Sequence, residues 1–332
     1  MSNPPESPEG SGPDVSAKGG GRFRQGRWKA RAELVFGLSN ARTELRRIRT
    51  KGPLHMQRLF HPEGPWPDGG IPAHAYLLHP PGGLVSGDCL ETAVRLLPRS
   101  HVLLTTPSAA KAYRAREGGA PQSQLTRAAV GDGSVLELLP QGTILFSKAR
   151  AEFRTLVDLH PGARLLAWDM ACLGRPGSGE AFAEGSYSQG MELRRGGIPI
   201  LLERLAFSDK APGGLSALRG LPGLFGMPCF GTFVAIGREG DGQDLDGLRR
   251  ARDVIRASVE RNYPEPSVDM GRDMGPEGMG LQGSATLRGG ILIARAIAGG
   301  LEELWGFLEM AWGAARYGLF GVGPHRPRIW DT

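Results

Sequence analysis

Cysteine is scarce in this sequence of 332 residues: only Cys89, Cys172 and Cys229 occur, and no two of them have Cys-x-x-Cys spacing. A sparse, odd number argues against a disulfide framework, and the spacing excludes a zinc site with ligands close in sequence. Long apolar runs are missing as well. The run at 289–294 meets Arg295 far short of the roughly 20 apolar residues that cross a bilayer, and the first residues lack the apolar segment of a signal peptide. We therefore expect a cytoplasmic protein without a membrane segment.

Catalytic and nucleotide-binding signatures are absent too. The string nearest to a phosphate-binding loop, GGLVSGD at 82–88, has an acid where that loop needs lysine. No HExxH, GxSxG or Rossmann glycine pattern occurs. The seven histidines are never two or four residues apart, so no local metal pair arises. An enzyme with its own nucleotide site is therefore not expected.

Glycine and proline are abundant instead, with 51 and 26 residues. They exclude long uninterrupted helices, because both residues break regular structure. Residues 1–26 contain almost no apolar side chain and predict a disordered tail. From 27 to 332, short apolar runs alternate with Pro/Gly turns and mostly follow a period of two, which predicts a single β-rich domain.

The positive charge is concentrated near the N-terminus. The net charge is +6, and residues 22–58 hold eleven Lys/Arg against the two acids Glu33 and Glu44. This pattern favours a solvated basic face near the first strand. A nucleic-acid-binding module is the alternative, but the segment lacks the interleaved aromatic residues of a single-strand binder. We expect no nucleic-acid partner.

Three segments share one plan, a strand, a short turn and a second strand, and they recur about every 30 residues: Leu90–Thr106, Gln124–Pro140 and Phe153–Asp169. A looser fourth copy is Met191–Leu205. The spacing predicts a β-helix-like, two-layer stack in which each unit buries its apolar face against its neighbours. A β-sandwich of regularly spaced hairpins is the alternative. The alignment of the copies makes two sets of positions equivalent: Val94 with Thr126 and Thr155, and Val102 with Val135 and Leu165.

Two helices are predicted near the C-terminus, at about 245–262 and 301–317. The first has an apolar face with leucine, alanine, isoleucine and valine at helical spacing, and prolines follow it. A Gly/Met-rich loop at 269–283 and one strand at 285–297 lie between the helices. The fold class is therefore mainly β, with a β-helix-like or two-layer stacked β body and two C-terminal helices.

Two loops stand out as candidate sites. In HPPGGLVSGD (79–88), Asp88 follows a glycine turn and either closes that turn or presents a carboxylate. In LLTTPSAAKAYR (103–114), Lys111, Tyr113 and Arg114 form either a binding patch or a solvated rim.

These strings, taken in order with others, resemble the urease accessory protein UreD family, called UreH in some organisms. The further matching strings are LELLPQGTILF, LLAWDMACLGRPGSGEAF, PILLERL and the closing PRIW. The match runs from about Trp28 to the C-terminus. Any one string is weak alone, but several in register over most of a chain are specific.

The resemblance implies a maturation scaffold rather than an enzyme. Such a scaffold binds the urease apoprotein and the helical partner UreF, and UreF recruits the GTPase UreG, on which GTP hydrolysis is expected. Nickel is implied to pass transiently through an internal channel towards urease, without a tightly bound cofactor. The family's β-helix-like body agrees with the repeat.

The resemblance also implies roles for particular residues. Asp88, Asp169 and Glu203 are channel or metal-transfer candidates, because water-exposed carboxylates attract a divalent ion yet release it. The competing interpretations are a turn for Asp88, a buried satisfied acid for Asp169 and an ion pair for Glu203. Cys89 is a possible soft nickel ligand, although a buried inert thiol is the simpler interpretation. The partner-binding candidates from the matching strings are Lys111, Tyr113 and Arg114. Trp305 and Trp312 are candidates for a different reason, because they lie on an apolar C-terminal helix that suggests a surface covered by a partner.

A function of another class is also consistent with the residues. A β-rich carbohydrate or small-ligand hydrolase could use Asp88 and Glu203 as its carboxylate pair. Such a pair must lie roughly 5 to 10 Å apart, so the fold decides this alternative.

Overall fold

The computed structural model describes residues 28–220, 223–262 and 280–331. The predicted tail at 1–26 and most of the predicted loop at 269–283 lie outside the described residues. Within these ranges, no helix is long and apolar enough to cross a membrane.

The described residues form eighteen strands and two α-helices. The strands are β1 (Trp28–Ser39), β2 (Arg42–Lys51), β3 (His55–Met56), β4 (Ala73–Leu78), β5 (Gly83–Leu84), β6 (Asp88–Leu96), β7 (His101–Thr105), β8 (Ala110–Ala112), β9 (Gln122–Val130), β10 (Val135–Leu139), β11 (Thr143–Leu145), β12 (Arg150–Leu159), β13 (Arg164–Leu173), β14 (Ser186–Arg195), β15 (Ile198–Ser208), β16 (Cys229–Ile236), β17 (Gln282–Arg288) and β18 (Ile291–Ala298). The helices are α1 (Gly242–Asn262) and α2 (Leu301–Phe320).

The strands build two stacked sheets, which we call the outer and the central sheet. The outer sheet has seven strands in the order β15-β14-β12-β9-β6-β1-β2. The central sheet has eleven, with the main order β17-β18-β16-β13-β10-β7-β4-β3 and the short strands β5, β8 and β11 beside it. Two apolar clusters fill the space between the sheets, and a third joins the central sheet to the helices. The predicted mainly β fold with two C-terminal helices is confirmed.

Consecutive strands of the repeat alternate between the sheets. β6, β9 and β12 pair in parallel in the outer sheet, and β7, β10 and β13 pair in parallel in the central sheet. The turns at 97–100, 131–134 and 160–163 therefore carry the chain from one sheet to the other. The β-helix-like stack is confirmed, and the alternative built of hairpins is wrong for these three copies.

Successive turns stack so closely that one position requires glycine. A Cβ at Gly131 would lie 2.7 Å from the carbonyl oxygen of Leu96, and the Gly131 N–H donates to that same oxygen at 3.0 Å. The close spacing of successive turns therefore explains why glycine occupies this position.

The register within the stack corrects the sequence alignment. Thr92, not Val94, pairs with Thr126, and Thr126 pairs with Thr155. A shift of two residues keeps the same face, so alternation alone cannot detect it. In the central sheet the equivalent row is Val102, Leu136 and Leu165, so the predicted Val135 is one residue off.

Two further predictions about strands are corrected. The looser fourth copy does not cross between the sheets, because β14 and β15 pair antiparallel in the outer sheet. The single strand predicted at 285–297 is two antiparallel strands, β17 and β18, because Gly289 and Gly290 both adopt positive φ and form a turn.

Both helices are longer than predicted by about a turn. α1 begins at Gly242 and buries Leu248, Ala251 and Ile255, three of the residues on its predicted apolar face. α2 continues to Phe320, past the predicted end at 317. Gly318 lies within α2 rather than at its end. It packs against Gly247 of α1 so closely that a Cβ would meet backbone, so the contact between the helices requires glycine here.

The basic N-terminal residues lie at one edge of the outer sheet. Lys29, Arg31, Arg47, Arg49 and Lys51 are all exposed on β1 and β2, as the interpretation of a solvated basic face requires. Arg31 pairs with the neighbouring Glu33 at 2.8 Å.

Candidate functional site

A row of polar side chains crosses the inner face of the outer sheet. The strand register places Thr92, Thr126 and Thr155 side by side, followed by Met191 and Glu203 at the edge. The three threonines line one cavity between the sheets, and Met191 and Glu203 line a second. We call this row, with the residues facing it, the polar lane.

The polar lane separates two apolar clusters. On one side lie residues such as Val94, Val157 and Leu193, and on the other lie Leu90 and Phe153. In a sandwich core these inward positions are normally apolar. The hydroxyl groups therefore form a polar interruption of the apolar interior.

The two cavities meet at Asp169. The first has a volume of about 120 Å³ and reaches the loops at 79–84, 105–110 and 140–143. The second has a volume of about 360 Å³ and reaches the edge strand β15 of the outer sheet and strands β17 and β18 at the end of the central sheet. Asp169 and Gln189 line both cavities, so these two side chains lie between the loop end and the sheet edge.

Asp169 lies on β13 of the central sheet, opposite the threonine row. Burial raises the pKa of its carboxyl to about 7, although hydrogen bonds with Gln189 and Thr155 act in the opposite direction. Burial also raises the pKa of the neighbouring Tyr187, and the charge of Asp169 adds to that effect. A carboxyl of this kind exchanges protons near neutral pH and can bind or release a cation as it does so.

Glu203 lies at the edge end of the lane and is paired with an arginine. Nε of Arg295 donates to Oε1 of Glu203 at 2.9 Å, and Nη2 donates to Oε2 at 2.7 Å. The ion pair predicted as the competing interpretation thus exists, with Arg295 of β18 rather than with the adjacent Arg204. It joins the outer sheet to the central sheet.

Asp88 closes a turn and lines neither of the two cavities. Its Oδ2 accepts the N–H of Val85 at 2.8 Å, and its own N–H donates to the Val85 carbonyl. The charge of Asp88 nevertheless affects the pKa of His79, which lines the first cavity. Burial lowers the pKa of His79, and the charge of Asp88 opposes this. Asp88 therefore stands behind the loop end of the lane rather than within it.

The hydrolase alternative fails on distance. Asp88 begins β6 and Glu203 lies on β15, with three strands of the outer sheet between them. Four strand spacings amount to roughly 19 Å, about twice the largest separation at which two glycosidase acids act together. The predicted carboxylate pair is corrected on this ground.

The residues at 111–114 divide between surface and interior. Lys111 and Arg114 are exposed. Tyr113 packs over Gly83, where a Cβ would lie 2.3 Å from its ring, and its N–H donates to Leu84. Tyr113 thus holds the two loops together, and Lys111 and Arg114 stay available to a partner.

The two tryptophans predicted to face a partner also differ from each other. Trp312 is fully buried, and its indole N–H donates to Glu137 inside the protein. It cannot form a partner surface while α2 is packed on the central sheet, which corrects that prediction. Trp305 is partly buried and packs at right angles on Trp330, with the Arg326 guanidinium 4.4 Å from its ring centre.

Arg316 of α2 is the centre of a buried charge network that sequence reasoning missed. Nη2 of Arg316 donates to both carboxylate oxygens of Glu63, at 3.0 and 2.8 Å, and its Nε lies 3.4 Å from Glu137. His74 and His101 bond to Glu63 and Glu137 respectively. The network fixes the helix to the body.

The cysteines give no metal site in the part of the chain that the structure describes. Cys89 is a buried free thiol, and Cys172 and Cys229 face each other on paired strands. Across the described ranges, no group of three or more His, Cys, Asp or Glu is placed to hold a metal ion. The lane therefore offers dispersed oxygen ligands, which suit brief contact with a cation better than tight capture.

Comparison with known proteins decides the family. A model of the family described as UreD urease accessory protein matches residues 29–331. The chain belongs to the UreD urease accessory protein family. Relatives of the same description occur in Alkalilimnicola ehrlichii, at 39% identity, and in Marinobacter nauticus, at 37% identity. The alignments cover 92% of this chain in both cases, and 92% and 93% of those relatives.

A third relative, also named urease accessory protein UreD, comes from Pseudomonas putida (strain W619), with 37% identity over 92% of this chain and 95% of its own length. The family resemblance predicted from the sequence motifs is thus confirmed. A role in urease maturation follows from membership of the UreD family, and the chain is an accessory protein rather than an enzyme.

Proposed function

We propose that this protein is the scaffold on which cytoplasmic urease is loaded with nickel. In this proposal it binds the urease apoprotein and UreF, and UreF brings the GTPase UreG. Nickel is the cargo, and it moves along the polar lane between the loop end and the edge at Glu203. The observation that carries the proposal is the position of Asp169, which lines both cavities.

The chemistry of the lane supports ion passage. Hydroxyl, amide and carboxyl oxygens line the two cavities beside apolar side chains, so an ion that loses water can gain protein oxygens in both cavities. A site must bind well enough to admit the ion and weakly enough to release it. At the loop end, the lowered pKa of His79 keeps the imidazole neutral, which is the form that binds a metal ion.

Glu203→Gln is expected to reduce urease activation without disturbing the scaffold. The glutamine keeps the size of the side chain but removes the carboxylate charge and leaves Arg295 without its partner, so the lane's edge becomes positive and repels the ion. We expect urease to be pulled down in normal amounts and its nickel content to fall several-fold, a loss of roughly 1 kcal/mol in ion attraction. The measurement is urease activity and bound nickel in cells that express the urease operon with each variant.

Glu192→Gln is the matched control, because Glu192 lies on the adjacent strand β14 and pairs with Arg194 without lining either of the two cavities. It should activate urease normally. Omitting the chain altogether should leave urease without nickel. Full activation in cells lacking the chain would contradict the proposed function itself.

A further inference from the structure

The charge at the edge of the polar lane is neutralised by the protein itself. Both oxygens of the Glu203 carboxylate accept bonds from Arg295, at 2.9 and 2.7 Å. A carboxylate with both oxygens engaged by a guanidinium has little left to offer a passing cation. The residue best placed to receive nickel at this edge is therefore occupied in the structure.

Arg295 also belongs to the lane by its position in the central sheet. Asp169 pairs with Thr232 on β16, and Thr232 pairs with Arg295 on β18. Two strand spacings put Arg295 about 10 Å from Asp169, and both residues line the second cavity. While Arg295 is paired with Glu203, this part of the cavity offers no net negative charge to attract a divalent cation.

The ion pair between Arg295 and Glu203 is partly exposed to solvent. The Arg295 side chain is 51% exposed and that of Glu203 is 28% exposed, so Arg295 can swing into solvent without any movement of the backbone. Exposed ion pairs contribute little to stability. The pair can therefore separate at small cost in free energy.

We propose that Arg295 is the gate residue of the polar lane: paired with Glu203 it closes the edge to divalent cations, and when it swings away from Glu203 it opens that edge. This inference rests on the proposed function for its cargo. Arg295 then controls when nickel can pass the edge of the lane.

The test measures nickel binding rather than urease activity. Nickel(II) chloride is titrated by calorimetry at low salt into the full-length chain, carried as a fusion to a soluble carrier protein, with the carrier alone as blank. We expect Arg295→Met to bind nickel roughly tenfold more tightly than the wild type, because Glu203 is released and a repelling charge is lost. A merely structural role for Arg295 would not raise affinity.

Two variants control for charge and mechanism. Arg204→Met removes a positive charge from the lining of the same cavity but leaves Glu203 paired with Arg295, so it should change affinity much less than Arg295→Met does. Adding Glu203→Gln to Arg295→Met should return the affinity to the wild-type value. Arg295→Gln serves as a second gate variant if the methionine variant does not fold.

Unchanged nickel affinity in Arg295→Met and Arg295→Gln would overturn the gate, and so would tightening that persists when Glu203 is replaced. Neither result bears on whether urease needs the chain, which the operon experiment decides. Conversely, a tighter gate variant together with normal urease loading in cells lacking the chain would refute the proposed function and leave the ion gate standing.

Discussion

Asp169→Asn is expected to make the protein more stable at pH 8, by up to about 4 kcal/mol, while stopping nickel transfer to urease. The reason is that burial raises the pKa of Asp169 from 3.8 to about 7. Ionisation of this carboxyl in the folded protein therefore lowers the free energy of unfolding. Asparagine keeps the shape and the hydrogen bonds with Gln189 and Thr155 but never ionises.

The sign of the pH dependence follows from linkage. Between about pH 4 and 7 the unfolded chain loses the Asp169 proton while the folded protein keeps it, so the wild type loses stability as the pH rises through that window. Above pH 7 the loss is complete. The measurement is denaturant unfolding of wild type and variant at pH 5, 6, 7 and 8, where the difference in free energy of unfolding should grow with pH.

Glu152→Gln is the control, since Glu152 is an exposed acid on β12 and its replacement should change stability by less than about 0.5 kcal/mol at every pH. A residue whose removal stabilises the fold but abolishes transfer is retained for function. If Asp169→Asn is less stable than the wild type at pH 8, the carboxylate has a structural role and its assignment to ion passage is wrong.

Arg316→Met is expected to destabilise the protein by about 3 to 5 kcal/mol, because it leaves two buried carboxylates without their cation. Burial opposes ionisation of Glu63, yet the His74 hydrogen bond and the Arg316 charge lower its pKa to about 2. Burial likewise disfavours the charge on Glu137, and Arg316 and His101 lower its pKa. Without Arg316 both acids would have to take up protons or expose themselves to water.

The same network gives the wild type a defined acid response. Because the pKa of Glu63 is lowered in the folded state, its contribution to stability is complete above its ordinary pKa of 4.5 and is lost as the pH falls towards 2. Arg316→Met should show a much weaker loss over that range, which unfolding by denaturant at pH 3, 4 and 6 measures.

Arg326→Met tests whether any arginine of this region would have the same effect. Arg326 pairs with Glu309 and Asp331 at the surface, with 41% of its side chain exposed, so its loss should cost less than about 1 kcal/mol. Equal destabilisation by Arg316→Met and Arg326→Met would contradict the assignment of Arg316 as the residue that fixes α2 to the body.

The coil of the fold could be predicted because its units repeat in the sequence, whereas its register could not. Val94 and Thr92 lie on the same face of β6, so the alternating pattern accepts either alignment. The threonine row becomes visible only when Thr92 is aligned with Thr126 and Thr155. The recurrence of threonine at inward positions of three copies is the signal that could have revealed the lane.

The candidate site was predictable only as far as local motifs reach. Asp169 and Glu203 stand in recognisable strings, and both line the cavities. Arg295 does not stand in a recognisable string. Its role could not be predicted, because its partner is 92 positions away in the chain and the pairing depends on two sheets meeting at an edge. Glu137, between leucines in a buried strand, was a visible anomaly, but nothing local identifies Arg316 as its counter-charge.

The same limit explains the error at Trp312. An amphipathic helix with several tryptophans is typical of a partner surface, and sequence alone does not say which of them faces the body. The indole of Trp312 is buried where α2 packs on the central sheet, and its N–H donates to Glu137, which lies 175 positions away along the chain.

If nickel travels along the polar lane, blocking the lane without touching its charges should keep nickel from reaching urease. Thr126→Phe places a ring in the middle of the threonine row, and Thr126→Ser keeps the hydroxyl and leaves the space open. The measurement is the nickel content of urease purified from cells that express the operon with either variant, after confirming that urease is pulled down equally. We expect urease to contain almost no nickel with Thr126→Phe and to be loaded normally with Thr126→Ser. Normal loading with a folded Thr126→Phe protein would contradict this route for nickel.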